Sequence, residues 1–154
     1  MGKVLKGREG FTLIELMIVI AVIGILAAVL IPYTFRAQDR ARETGVMNAA
    51  RAIQTGLEMY ASNRVTAPWY PDTKDDITNT STGLAGLVSP APKNPFNGEE
   101  YLSKVEGSSP TFYLGTTATV APGVIKYETN GNSYTLTLYG ARGATLPLQL
   151  TGGR

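Results

Sequence analysis

Apolar residues run almost without interruption from Phe11 to Ile31, a stretch of 21 residues in which Glu15 is the one charge. About twenty residues at a rise of ~1.5 Å each span a hydrocarbon layer of ~30 Å, so the run predicts a helix long enough to cross a membrane. After Pro32 the pattern stays helical but becomes charged, with Arg36, Asp39, Arg40, Arg42 and Glu43. Val46, Ala50, Ile53, Leu57 and Tyr60 then recur at three- and four-residue steps, an amphipathic stripe whose plain role is packing against a core. The helical signal fades at Ser62-Asn63. The spacing therefore predicts one extended helix over 11–62, with 11–31 as its membrane part. It would be roughly 75 Å long if unbroken, and so would need support along its sides.

Past residue 62 the period changes. Val124–Thr129, then Asn130-Gly131-Asn132, then Ser133–Tyr139 read as two strands around a turn. Tyr134, Leu136 and Leu138 alternate with Thr135, Thr137 and Tyr139, and Asn-Gly between alternating runs is a strong hairpin signal. Phe112–Leu114 and Thr145–Leu150 are weaker strand candidates. Residues 63–100 read as a loop region, punctuated by Pro68, Pro71, Pro90, Pro92 and Pro95. The expected fold class is α+β, a long N-terminal hydrophobic helix packed on a small antiparallel sheet, with 63–154 as the globular head.

Composition narrows the chemistry. A formal net charge of +2 is too small to indicate a nucleic-acid partner. There is no cysteine and no histidine, which removes disulfides, thiolates, the usual general base and the commonest metal ligand. An anchored enzyme would need a carboxylate pair or a Ser/Lys site, and no such constellation stands out. No catalytic residue, cofactor or metal is therefore expected. Asp72, Asp75 and Asp76 could suggest calcium, but a solvated acidic loop is the simpler reading.

Residues 1–10 carry Lys3, Lys6 and Arg8 against Glu9, and positive charge before a span holds that end in the cytoplasm. The apolar run exceeds the 7–15 residues typical of a secretory signal core. A small-x-small cleavage pattern is also misplaced, since Ala27 and Ala28 lead into more apolar residues and Pro32. An uncleaved signal anchor explains the flank and the run but not Glu15. A carboxylate at membrane depth costs several kcal/mol unless paired, which marks it as functional. Thr12-Leu13-Ile14-Glu15 also fits a capping box, which would make Glu15 a local helix-start device. Spacing alone leaves both roles open.

The string Gly10-Phe11-Thr12-Leu13-Ile14-Glu15-Leu16 resembles the processing motif of bacterial type IV prepilins and type II secretion pseudopilins. The resemblance is close over residues 7–35 and elsewhere extends to architecture only. It implies that 1–10 is a leader, cut after Gly10 by a membrane peptidase that then methylates the new amine of Phe11. It implies that Glu15 meets the Phe11 amine of a neighbouring subunit and sets the register of a helical homo-polymer. Gly24 and Pro32 sit where many pilins have a helix-loosening glycine and proline. The implied life history is a single-pass inner-membrane precursor with its head outside, handed by membrane assembly machinery to an extracellular type IV pilus. The alternative is a major-type pseudopilin of a type II secretion system; Pro92–Gly98 resembles a proline-bounded loop common in major pseudopilins and in some pilins. Residues 140–154 contain no acid, a departure from the Asp-rich calcium loop that this alternative implies. The missing cysteines depart from the disulfide-closed loop of many pilins. Phe11, Tyr33, Phe35 and Tyr60 could suggest electron transport along the helix, but packing explains them more simply.

Overall fold

The computed structural model describes residues 10–103, 112–115 and 120–153. The leader expected over 1–10 therefore lies, Gly10 apart, outside the described residues. Helix α1 is Leu13–Ser62, continuous through Pro32. Pro32 has no N–H to give to the carbonyl four residues back. The Thr34 hydroxyl donates to the Ile31 carbonyl at 2.8 Å, which satisfies a different acceptor.

The chain divides into two compact units, 1–37 and 38–154. In the described part of the first unit the large apolar side chains face outward all round the helix, with no core of their own. In the second unit α1 buries one stripe: Val46, Ala49, Ala50, Ile53, Gly56, Leu57, Tyr60 and Ala61. Two short helices follow, α2 (Lys74–Thr78) and α3 (Leu84–Leu87). They lie where the sequence suggested loop alone. Each is too short for a periodic signal, but α2 has a legible cap: the Asp76 N–H donates to the Thr73 hydroxyl oxygen at 3.1 Å.

The sheet has four strands in the order β1 (Phe112–Leu114), β2 (Ile125–Thr129), β3 (Ser133–Tyr139) and β4 (Thr145–Gly153). β2–β3 and β3–β4 are antiparallel, but β1 pairs parallel with β2, Phe112 opposite Ile125. Alternation reports which side chains point inward and not the direction of the neighbouring strand, so the parallel pair had no signature. At the β2–β3 turn Asn130 Oδ1 accepts from the Asn132 and Ser133 N–H groups, and Gly131 takes a φ of 83°. Tyr134, Leu136 and Leu138 enter the core. There they join the α1 stripe, Tyr70, Tyr101, Phe112 and Tyr127 in one buried cluster.

Glycine sets how closely the loops approach α1. A Cβ on Gly56 would lie 2.2 Å from Val88 Cγ2, and one on Gly45 would lie 2.7 Å from Pro95 Cγ. Gly56→Ala should therefore lower stability by about 1–3 kcal/mol through overpacking, despite the better helix propensity of Ala. Thermal unfolding of the variant checks this, and an unchanged or raised midpoint would contradict it.

Candidate functional site

The outward-facing apolar segment and its start are the part of the molecule whose surface is least explained by its own fold. Phe11 is 92% exposed, and the large apolar residues from Leu13 to Ile31 remain at least half exposed. The segment is long and apolar enough to cross a membrane by length and composition. A helix that is apolar all round is stable only inside lipid or protein.

The helix starts at Leu13 because Thr12 caps it. The Glu15 N–H donates to Thr12 Oγ1 at 3.3 Å. The Thr12 N–H and hydroxyl both donate to Glu15 Oε2, each at 2.8 Å. This is the reciprocal pattern of a capping box. Both of these bonds fall on Oε2, so Oε1 keeps its accepting capacity. A local capping duty and a second partner for Glu15 are thus compatible. Phe11 precedes the cap but does not fold back onto the first turn, as its exposure shows. The Gly10-Phe11 junction is exposed and non-helical.

A Cβ on Gly10 or on Gly24 would meet nothing within 4 Å. The chain's own packing therefore requires glycine at neither position, in contrast to Gly45 and Gly56. Gly24 and Pro32 lie on the exposed helix, two turns apart, and share no contact. Among the described N-terminal positions the structure brings together Thr12 and Glu15 alone.

The head offers little for chemistry. Asp76, one of three candidate cation ligands, is already engaged: it accepts from the Tyr60 hydroxyl at 3.0 Å and the Thr73 hydroxyl at 2.7 Å. Among the described residues no group of three or more acids could hold a metal. A cleft of about 440 Å³ beside the end of α1 is lined by Tyr60, Asn63, Arg64, Asp76, Ser81 and Thr82. In it the Tyr60 hydroxyl is held between Asp76, to which it donates, and Arg64, from which it accepts. Burial pushes the hydroxyls of Tyr101, Tyr127 and Tyr134 well above the usual tyrosine range, so they stay protonated and act as donors. Tyr134 donates a hydrogen bond to Glu58 at 2.8 Å, Tyr101 to the Gly123 carbonyl at 2.6 Å and Tyr127 to the Pro71 carbonyl at 2.9 Å. Glu58 also accepts from Tyr70 at 3.3 Å. This fastening role of Glu58 had no signal in the sequence, where it reads as one more polar helix position.

Residues 5–31 match the prokaryotic N-terminal methylation motif. The chain is 34% identical over 105 residues to the type II secretion system core protein G of Pseudomonas aeruginosa, covering 65% of this chain and 66% of that protein. It is 38% identical over 96 residues to the type IV major fimbrial protein of Dichelobacter nodosus, covering 53% and 60%. It is 60% identical over 56 residues to the type IV wide pilus major component of Thermus thermophilus, covering 36% and 43%. These matches span between 43% and 66% of the relatives' own lengths. No solved structure matches significantly.

The cap is testable by itself. Thr12→Val keeps the shape but removes the hydroxyl, and should cost the first turn about 1 kcal/mol. Amide exchange at Ile14 and Glu15, measured by NMR in detergent micelles, should speed up about fivefold, while Thr12→Ser should leave it unchanged.

Proposed function

We propose, from the premise that this chain belongs to the family of type IV pilins and type II secretion pseudopilins, that it is the polymerising subunit of a type IV pilus. The observation that carries this reading is an all-round apolar helix, uncovered by the rest of the chain, with one half-used carboxylate near its start. Its role is structural, and the catalytic steps belong to other proteins.

The precursor sits in the inner membrane with the basic residues 1–10 inside and the head outside. A prepilin peptidase cuts after Gly10, and methylation leaves the Phe11 amine cationic. Opposite charges ~4 Å apart attract by ~4 kcal/mol at an effective dielectric of ~20. Glu15 Oε1 can take that amine from a neighbouring subunit while Oε2 keeps its cap. The pair offsets the cost of placing both charges in an apolar filament core and sets the register between subunits. Gly24 and Pro32 make the intervening turns the easiest to unwind, because one supplies no side chain and the other no N–H. The helix of the single chain is unbroken there, so unwinding is a property proposed for the packed filament.

Core protein G favours a second reading, a pseudopilin of a type II secretion system. The resemblance to that group implies an Asp-rich calcium loop near the C-terminus, whereas residues 140–154 contain no acid and, elsewhere in the head, Asp76 is committed to Tyr60 and Thr73. A fragment beginning at Arg36 should melt at the same temperature with calcium and with chelator. A large loss of melting temperature in chelator would move the assignment to the pseudopilin.

Glu15→Gln tests the assembly mechanism. Glutamine also serves in a capping box but carries no charge. Mass spectrometry of the variant should show a chain starting at methylated Phe11, inserted in the membrane but not polymerised. The ratio of sheared filament to membrane-bound subunit should fall by at least about tenfold, since breaking such a buried pair costs ~3–5 kcal/mol. Filaments at wild-type yield from the cleaved variant would refute the ion pair.

A further inference from the structure

The second half of α1 turns to solvent a face that the head leaves uncovered. Arg40, Thr44, Asn48, Arg51, Thr55 and Met59 follow one another on it at three- and four-residue steps, and all are exposed. Arg40 and Arg51 are eleven residues apart, three turns of helix, so they lie on one line about 16 Å from each other. The Thr44 and Thr55 hydroxyls are turned back onto the Arg40 and Arg51 carbonyls at 2.9 and 3.0 Å. The polar groups left to face outward are the two guanidinium groups and the Asn48 amide. Neither arginine takes part in the Lys93–Glu100 or the Lys126–Glu128 ion pair. Glu58 lies two turns beyond Arg51 on the same line and accepts from the Tyr134 hydroxyl at 2.8 Å, and Glu43 is held by the Ala141 N–H at 3.1 Å.

The same unit carries the complementary charge elsewhere. Asp72 precedes α2 and Asp75 lies in its first turn, both exposed and with the exposed Lys74 between them, whereas Asp76 is turned in towards Tyr60. The Tyr60–Asp76 bond ties α2 to the last turns of α1. The acids therefore lie at the C-terminal end of this helix, and Arg40 lies twenty residues, about 30 Å, before Tyr60. A cationic face and an acidic edge displaced along one axis match between copies shifted along that axis. Such a contact is heterologous and propagates without end.

We infer that the Arg40–Arg51 face of α1 docks the Asp72–Asp75 edge of a second copy of this chain. The inference rests on the polymer reading above and adds to it the contact that orients the heads. Apolar burial is non-directional, so a seam of aliphatic side chains tolerates rotation of one subunit about another. Charge pairing at the surface is individually weak, but it is repeated at every subunit and penalises a wrong orientation by placing like charges together.

Charge reversal in the full-length chain, expressed in its own assembly system, tests this. Arg51→Glu should lower the ratio of sheared filament to processed membrane-bound subunit by about fivefold or more. Asp75→Arg should do the same, and the combined variant should recover to within about twofold of wild type. Should Arg51→Glu disturb folding, the neutral pair Arg40→Gln with Arg51→Gln serves instead. It should lower the yield and weaken its dependence on salt, since exposed charges are screened far more than a buried pair such as that of Glu15. Wild-type yield from either arginine variant, or a combined variant no better than Arg51→Glu, would overturn the docking while the polymer reading stands. Absence of any filament from the wild-type chain would overturn both.

Discussion

The chain cannot cover the apolar surface of its own first helix. Burying one large aliphatic or aromatic side chain is worth about 1.5–3 kcal/mol, and fifteen such residues stand exposed between Phe11 and Ile31. Water is therefore excluded as a lasting environment, and the segment lives in lipid or among other apolar helices. Between those two the hydrophobic effect chooses weakly, because lipid tails are as apolar as leucine. Movement from a bilayer into a filament core exchanges one apolar solvent for another. What directs the exchange must be polar, and Glu15 is the polar side chain that the deep segment offers with accepting capacity to spare.

The two parts of α1 handle the same geometry differently. Beyond Gln38 the apolar side chains contract to a stripe, and the head fills it with Tyr70, Tyr101, Tyr127 and Leu136. Gly45 and Gly56 act there as notches that let Pro95 and Val88 close on the helix. Gly24 lies on the same helix but opposite no side chain. A glycine without a close neighbour in the single chain costs about 1 kcal/mol of helix propensity against alanine. That cost makes sense where another subunit comes close or where the helix must yield.

Much of this was legible in the residues. The 21-residue apolar run, the change to a 3–4-residue stripe at Val46 and the alternation from Tyr134 to Leu138 each follow from burial, which imposes a period. The capping box could be read from Thr12 and Glu15, because its four residues are contiguous. Features without a period were not legible. α2 and α3 have five and four residues, less than two turns. The parallel pairing of β1 depends on the path of the chain between strands. The exposed stripe from Arg40 to Met59 is defined by what fails to cover it, which a single chain's pattern does not encode. The joint service of Glu58 to Tyr70 and Tyr134 spans 76 residues of sequence and needs the fold itself to bring it about.

A head without cysteine must hold its C-terminal part by other means, and two carboxylates of α1 account for much of it. Glu43 receives the Ala141 N–H at the turn between β3 and β4. Glu58 receives the Tyr134 hydroxyl near the start of β3, and a Cβ on Gly152 of β4 would lie 2.6 Å from its Oε1. The two acids are fifteen residues apart, about four turns, so they emerge from nearly the same side of the helix. Together they fasten both ends of the β3–β4 pair to α1. Hydrogen bonds to a charged group are worth about 1.5–3 kcal/mol each, so this pair of fastenings is comparable to one disulfide of ~2–4 kcal/mol. The difference lies in kind. A disulfide acts mainly on the unfolded chain, whereas these bonds exist only once helix and sheet have met. They make the fold of the head conditional on the helix that also carries the assembly segment. Shear on the helix and integrity of the head are thereby coupled through two side chains.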